Sequence, residues 1–236
     1  MILRSRLLNI PGLEHGFTTR GLGSDYKRLG SILDWPTSQI MSLKQVHSHQ
    51  IYLFPSLSLP KIGSGLVSGD ALMTQKEKVL LVMRVADCIP VLIYVPEKPA
   101  IANIHAGWRG VVSQIIPRTI SSLVNLTGVH PGAMKAVIGA GLCKSCFEIG
   151  PEILEQFKDL PQSLITQGKG DRFLVDLVGA CYFQLQSQGL KEIERMSYCT
   201  QCDRNLFYSY RGGDKKERQI SFIGLKCFPQ PLKEES

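Results

Sequence analysis

The chain has 236 residues, of which 44% are hydrophobic and 20% charged, a composition typical of a globular protein with a sizeable core. Its formal charge of +7 comes without long Lys or Arg runs or an aromatic-basic pattern, so we expect no nucleic-acid partner. No apolar run approaches the roughly 20 residues of a membrane span, and the N-terminus lacks a signal-peptide pattern. We therefore expect a cytoplasmic protein with no membrane partner.

Seven cysteines are an odd number in a chain long enough to fold without disulfides. This pattern favours a reducing compartment, where thiols bind metals, take part in chemistry or simply pack in the core.

The pattern of apolar residues predicts the secondary structure in chain order. Residues 56–69, rich in Ser, Gly and Pro, predict a loop before a strand at 71–74, and apolar runs predict buried strands at Val79–Val85 and, next, at 100–104. Apolar positions recur with helical spacing over 110–126, where Pro117 is expected to introduce a kink. Further predictions are strands near 136–139, 193–199, 206–210 and 219–225, a short helix starting near Pro151, a helix over 173–188 closed by Gly189, and a polar tail at 229–236.

Helices and strands are mixed in this order without a strict βαβ alternation. The pattern favours an α+β fold over a doubly wound sheet, and we expect a single domain over residues 1–236.

Metal-binding side chains lie near the ends of the apolar runs. Cys88 follows the first run, His105 ends the second, and His47 lies upstream in KQVHSHQ. One thiolate and two imidazoles suit a zinc ion whose fourth position stays open for water or substrate. His49 is a rival to His47, because both point to the same side of an extended segment. Each residue also has an ordinary structural explanation, since cysteines are often buried and histidines often only hydrogen-bonded.

Three neighbours of these residues have roles worth testing. Asp87 is expected to hold a ligand imidazole in the right tautomer. Trp108 is either a wall of the site or a core residue, and Arg109 offers a bidentate grip on phosphate or carboxylate.

Two CxxC pairs, Cys143 with Cys146 and Cys199 with Cys202, have the arrangement of a structural zinc site. They are separated by about 50 residues, well beyond the roughly 15–20 of the usual pattern. Cys181 is most simply a core residue.

Seven segments, taken together, resemble the YfiH/YlmD laccase-domain family. They are HGFTTRGLGS, KQVHS, GDALMT, VADCIPVLIY, HAGWRG, CFEIGPE and LFYSYRGGDKKERQISF, in order from about residue 15 to about 225. Members of this family were once described as multicopper polyphenol oxidases and are now regarded as purine nucleoside phosphorylases.

The resemblance implies a single α+β domain of layered mixed β-sheets with flanking helices, similar to the catalytic domain of cytotoxic necrotizing factor toxins. It implies a zinc site formed by His47, Cys88 and His105, and thereby favours His47 over His49 as the ligand. It also implies phosphorolysis of adenosine, inosine, guanosine and methylthioadenosine, together with adenosine deamination. Purine nucleosides and phosphate are then the expected partners. Cys146, Cys199 and Cys202 would be family features outside the zinc site.

The chain departs from the family pattern in three places. The segment between the opening motif and KQVHS is short, Lys216-Glu217-Arg218 stands where TGR is usual, and Cys181 replaces an Asn in the helix. These departures bear on substrate choice rather than on the zinc site.

Four arginines near the motifs are candidates for phosphate binding: Arg20, Arg109, Arg211 and Arg218. Arg109 is favoured because it lies nearest to His105 in sequence, and Arg20 is carried with it as a candidate.

Three alternatives remain open from the sequence. A Cys/His hydrolase or deamidase would use Cys88 as nucleophile. A copper-dependent phenol oxidase would need further His ligands, which are hard to find among five histidines. A non-enzymatic module stabilised by zinc at the CxxC pairs would show no turnover.

Overall fold

The computed structural model describes residues 1–54 and 67–226. Most of the predicted loop at 56–69 and all of the predicted tail at 229–236 lie outside the described residues.

The described residues form strands and a few helices in an irregular order. The strands are β1 (Ile2–Leu3), β2 (Leu13–Thr18), β3 (Ile40–Met41), β4 (Ile51–Phe54), β5 (Ala71–Thr74), β6 (Val79–Val85), β7 (Ile89–Val95), β8 (Ala100–Ala106), β9 (Lys135–Ile138), β10 (Glu148–Ile149), β11 (Ile165–Gln167), β12 (Phe173–Val175), β13 (Glu192–Arg195) and β14 (Gln219–Leu225). The helices are α1 (Tyr26–Leu33), α2 (Trp108–Val112), α3 (Ile115–Thr127), α4 (Pro151–Leu154) and α5 (Leu177–Ser187).

A six-stranded mixed sheet, in the order β13-β9-β7-β8-β5-β4, forms the centre of the molecule. Its inner pairs are antiparallel, whereas the edge pairs β9–β13 and β4–β5 are parallel. Side chains alternate between its faces. In β8, Ala102 and Ile104 join the cluster that contains α3 and α5, whereas Ile101 joins the opposite cluster. The helices α3 and α5 therefore cover one face of the sheet. The side chain of His105, like that of Ile101, points to the opposite face.

A second mixed sheet packs on that other face. It has five strands in the order β1-β2-β14-β6-β3, and only β3 and β6 are parallel within it. Leu81 and Ile223 on its inner side pack with Leu92 and Ile101 of the central sheet. Its outer side packs against α1, so the main body has four layers, helix–sheet–sheet–helix. A small third sheet, β10-β12-β11, lies beside these layers.

This architecture confirms the expectation of a mixed α+β fold with layered sheets and flanking helices. Several boundaries differ from the sequence-based expectations. The run at 100–104 is not the next strand after Val79–Val85, because β7 lies between them. His105, predicted to end this run, lies inside β8, because the strand continues to Ala106.

The helix predicted over 110–126 is two helices, α2 and α3. The break falls at Gln114, whose φ of +62° lies in the left-handed region. The kink predicted at Pro117 is absent, because Pro117 lies in the first turn of α3. There the missing N–H has no intrahelical partner to lose.

Two other elements were predicted wrongly in part or in full. In the segment 173–188, residues 173–175 are strand β12, and the helix begins only after the capping Asp176. Residues 206–210 are not a strand. The backbone N–H groups of Leu206 and Phe207 donate to the carbonyl of Asp203, at 2.8 and 3.0 Å, instead of joining a ladder.

No helix among the described residues is long and apolar enough to cross a membrane.

Asn103, a fully buried residue of β8, joins the two large sheets by hydrogen bonds. Its amide nitrogen donates to the carbonyls of Leu81 and Ser221, at 3.1 and 2.9 Å, and its oxygen accepts from the Ser221 hydroxyl. The side chains of Asn103 and His105 are two residues apart in β8 and therefore point to the same face of the sheet.

We expect Asn103→Ala to lower the free energy of unfolding by about 2–4 kcal/mol, because it leaves buried carbonyls unpaired and opens a cavity. Urea denaturation measures the change. Asn125→Ala, the same substitution on the exposed side of α3, serves as control and should change stability by less than about 0.5 kcal/mol. Equal stability of the two variants would show that the polar connection contributes nothing.

Candidate metal centre

A cavity of about 760 Å³ opens where the loops before β4 and β7 meet the end of β8. This volume lies in the range of small-molecule sites. The cavity is lined by Tyr26, Ser42, Leu43, Lys44, Gln45, His47, Arg84, Ala86, Asp87, Cys88, His105, Leu142, Phe147, Tyr210, Arg211, Lys216 and Arg218.

His105 is held in one orientation by a buried carboxylate. Its Nδ1 lies 2.8 Å from Oδ1 of Asp70, which has no exposed surface, and its backbone N–H donates to the Asp70 carbonyl. Burial opposes ionisation of Asp70, but hydrogen bonds from His105 and Ser48 outweigh it and hold its pKa at about 2. With Nδ1 engaged in this way, Nε2 is the ring nitrogen free to act as a ligand.

The same carboxylate fixes the loop that carries His47. Asp70 accepts hydrogen bonds from the backbone N–H groups of Val46, His47 and Ser48, at 3.3, 3.0 and 2.6 Å, and from the Ser48 hydroxyl. These bonds hold His47 at a φ of +58°, a left-handed conformation that a non-glycine residue adopts at a cost. In this conformation the His47 imidazole lies beside that of His105, with ring centroids 4.9 Å apart.

Cys88 completes the group from the turn between β6 and β7. One donor atom each from His47, Cys88 and His105 lies within 4.8 Å of the others. Burial raises the pKa of the Cys88 thiol, but the two imidazoles outweigh it and lower this pKa to about 6. Burial likewise opposes the charge on His105, yet Cys88 and Asp70 raise its pKa to about 9. The arrangement thus favours a thiolate beside an imidazolium, or a cation held between the donor atoms.

The role predicted for Asp87 is wrong. Its carboxylate accepts hydrogen bonds from the Thr200 hydroxyl at 2.7 Å and from the Arg211 backbone N–H at 2.6 Å, and contacts neither imidazole. Asp70 takes the role of holding the imidazole. Asp87 instead anchors the segment around Arg211 beside Cys88.

Gly107, in the HAGWRG motif, allows His47 and Cys88 to approach the backbone closely. A Cβ atom at this position would lie 2.8 Å from Cδ2 of His47 and 3.2 Å from Sγ of Cys88. Trp108, the next residue, packs against the core near Phe157, with ring centroids 6.0 Å apart, and does not line the cavity.

The two arginines favoured for phosphate lie outside the cavity lining. The Arg109 guanidinium stacks over the Trp108 ring at 4.3 Å, and Arg20 pairs with Asp214 at 2.9 Å. Arg211 and Arg218, the two less favoured candidates, do line the cavity.

His49 belongs to neither of the two donor groups that the described residues contain. The second group consists of the two CxxC pairs, brought together as Cys143, Cys146, Cys199 and Cys202. Cys181 is fully buried in the core, as predicted.

Sequence reasoning missed Asp70, although it is the second residue of the GDALMT motif. A carboxylate directly before a fully buried strand was the available signal, because an unpartnered charge there is costly. The lining residues Lys44, Arg84 and Tyr210 were missed as well. Lys44 and Tyr210 lie within the quoted motifs, but their residue types alone do not mark them as neighbours of the donor group.

The chain is similar to known proteins over most of its length. The family described as "Multi-copper polyphenol oxidoreductase laccase" matches residues 15–226. The "Purine nucleoside phosphorylase" of Deinococcus radiodurans is 32% identical over 248 residues, which cover 95% of this chain and 92% of the relative. A protein named "Adenosine deaminase RL5", from an unknown prokaryotic organism, is 26% identical over 71% of this chain and 68% of its own length.

The fold has a close match among solved structures. The crystal structure of Bacillus licheniformis hypothetical protein YfiH aligns with a TM-score of 0.84 at 24% identity, covering 93% of this chain and 98% of that chain. Fold and sequence agree over nearly the whole length, and the chain belongs to the YfiH/YlmD laccase-domain family.

Proposed function

We propose that this protein is a zinc-dependent purine nucleoside phosphorylase that accepts adenosine, inosine, guanosine and methylthioadenosine, with adenosine deamination as a second activity. The observation that carries the proposal is the convergence of His47, Cys88 and His105, oriented by Asp70, on a cavity with a cationic lining. The names of the relatives supply the substrate class.

The donor set fits a zinc ion. Two imidazoles and a thiolate leave a fourth position open, and Asp70 supplies the carboxylate partner that zinc-binding histidines usually have. A zinc ion bound there would act as a Lewis acid toward a substrate atom or a water. A multicopper centre has less support, because His15 and His130 belong to no donor group among the described residues.

The cavity lining suits phosphate. Five cationic side chains face it, those of Lys44, Arg84, Arg211, Lys216 and Arg218, against the single carboxylate of Asp87. Such an imbalance inside a concave site attracts anions. In phosphorolysis a phosphate oxygen forms a bond to C1′ of the ribose while the bond from C1′ to the purine breaks. These cations would hold the attacking phosphate and balance its charge.

Arg20 and Arg109 have different parts in this proposal. Arg20 would act indirectly, because its partner Asp214 also accepts from the Ser209 backbone N–H and so orders the segment before Arg211. Arg109, exposed on α2 directly after the zinc-binding segment, remains a sequence-based candidate for phosphate.

Aromatic side chains at the cavity would hold the purine. Tyr210 is 50% exposed at the cavity, and Phe147 lies nearly buried in its wall. A flat purine ring stacks favourably on such groups, and this stacking does not distinguish adenine from guanine. That tolerance fits the range of nucleosides proposed.

A thiol hydrolase or deamidase is the rival that the same geometry supports. Cys88, His105 and Asp70 also form a nucleophile, a base and an orienting carboxylate. The two functions separate experimentally, because a thiol hydrolase survives zinc chelation whereas the proposed phosphorylase does not.

The reaction products and their dependence on the zinc site test this proposal. Zinc-loaded protein with adenosine and phosphate should give adenine and ribose 1-phosphate, and without phosphate it should give inosine, as measured by chromatography. His105→Ala should lower both activities by more than about 100-fold, because even a residue that supports a ligand typically contributes 10–100-fold. His49→Ala is the matched control and should keep both. Full activity after chelation, abolished by thiol alkylation, would replace this proposal with the hydrolase.

Asp70→Asn should weaken zinc binding by about 10–100-fold, since the amide can no longer accept hydrogen bonds from both the His47 loop and His105. Competition with a chromogenic chelator measures this affinity. Asp171→Asn, at an exposed carboxylate, should leave it unchanged. Unchanged affinity in Asp70→Asn would mean that orientation of the imidazole by Asp70 is unnecessary.

Substitutions in the cationic wall and in the aromatic wall of the cavity should change the KM values for different substrates. Arg218→Ala should raise KM for phosphate by about 10-fold, and Tyr210→Ala should raise KM mainly for the nucleoside. Arg118→Ala, which removes an exposed charge from α3, is the control for net charge. If Arg118→Ala raised KM for phosphate as much as Arg218→Ala, the cationic lining would have no specific role.

A further inference from the structure

Four cysteines outside the proposed catalytic centre converge on one point. Cys143 and Cys146 lie in the loop after β9, and Cys199 and Cys202 lie in the segment after β13. The Sγ atoms of all four lie within 4.8 Å of one another, with Cys202 at 3.5 Å from Cys146 and 4.0 Å from Cys143.

These separations match a tetrahedral metal site. Four sulfurs at the usual zinc–sulfur distance of about 2.3 Å are about 3.8 Å apart along each edge of the tetrahedron. A disulfide would instead bring two sulfurs to about 2.05 Å and leave the other two unpaired. An iron–sulfur cluster would spread its cysteines around several metal atoms. One small tetrahedral cation is therefore the best fit.

The backbone supports the sulfurs as it does in metal-binding turns. Each CxxC segment forms a tight turn, with Cys146 N–H donating to the Cys143 carbonyl and Asp203 N–H donating to the Cys199 carbonyl. The Cys143 N–H also donates to Sγ of Cys199 at 3.3 Å. Such N–H···S bonds stabilise a thiolate rather than a thiol.

The cysteine cluster joins two segments that are distant in sequence. Beyond the pairing of β9 with β13, their backbones are connected by a bridge between Gly141 and Cys199 and a hydrogen bond from Thr200 N–H to the Gly141 carbonyl. The Thr200 hydroxyl donates to Asp87, which also accepts from Arg211 in the cavity wall. A metal ion in the cluster would therefore fix the wall that carries the arginines.

We propose that Cys143, Cys146, Cys199 and Cys202 bind a structural zinc ion, a second metal site separate from the one at His47, Cys88 and His105. All four positions are filled by protein ligands, so this site takes no substrate. It stabilises the association of the two loops and holds the Arg211 segment against the catalytic centre. This site does not depend on the proposed activity, so either proposal can fail alone.

Metal analysis of variants tests the second site. Protein purified anaerobically with added zinc should hold two zinc ions per chain by mass spectrometry. Cys202→Ser and Cys143→Ser should each hold one, and His105→Ala should keep the cluster ion. Cys181→Ala removes a thiol that belongs to neither site and should retain two. One zinc ion in the parent protein, lost in His105→Ala, would overturn the proposal.

A measurement on the intact chain covers the case in which the serine variants fail to fold. Cobalt substituted for zinc should give sulfur-to-cobalt charge-transfer absorption from five thiolates, four from the cluster and one from Cys88. In His105→Ala the four-thiolate spectrum should remain. Absorption from a single thiolate, or a Cys146–Cys202 disulfide found by non-reducing mass mapping of the anaerobically purified, alkylated protein, would refute the cluster site.

Discussion

The carboxylate of Asp70 is the interaction on which the rest of the site depends. It is fully buried, and an isolated charge there would be strongly unfavourable, so its oxygens need several donors. Those donors come from the KQVHS loop and from His105 of β8. One charged group thereby fixes two proposed ligands that are far apart in sequence. The same hydrogen bonds compensate the left-handed backbone at His47.

The layers of the fold explain why the chemistry lies where it does. The alternation of β8 gives one face to the helices and the other to the second sheet, and Asn103 and His105 belong to the second alternation. Asn103 finds its partners on the opposing sheet, whereas His105 lies beyond the packed region and faces the cavity. A polar residue is tolerated at each position because each has a hydrogen-bonding partner.

Much of the fold class and the donor group could be predicted from the sequence, because both depend on local patterns. Apolar runs marked β5, β6, β8 and β14, and the family motifs pointed to Cys88, His105 and His47. Segment 206–210 shows the limit, since Phe207 is buried as in a strand while the backbone N–H groups of Leu206 and Phe207 bond to Asp203 in a turn. Asp70 and most of the cationic wall were not assigned, because their roles come from contacts between residues distant in the chain. The CxxC pairs were visible, but their meeting depends on the contact of the two loops at Gly141 and Cys199.

The two hydrogen bonds to Asp87 have a thermodynamic consequence for the whole protein. Through Thr200 and Arg211 they connect the cysteine-rich loops to the cavity wall. Metal binding at the cysteine cluster and anion binding in the cavity would both order the Arg211 segment. Their binding free energies would therefore be coupled, and the coupling would be reciprocal. With the proposed zinc ion in the cysteine cluster, an anion that immobilises the Arg211 segment would strengthen metal retention by the same factor by which the metal would strengthen anion binding. Loss of the zinc ion would then depend on the concentration of the anionic substrate.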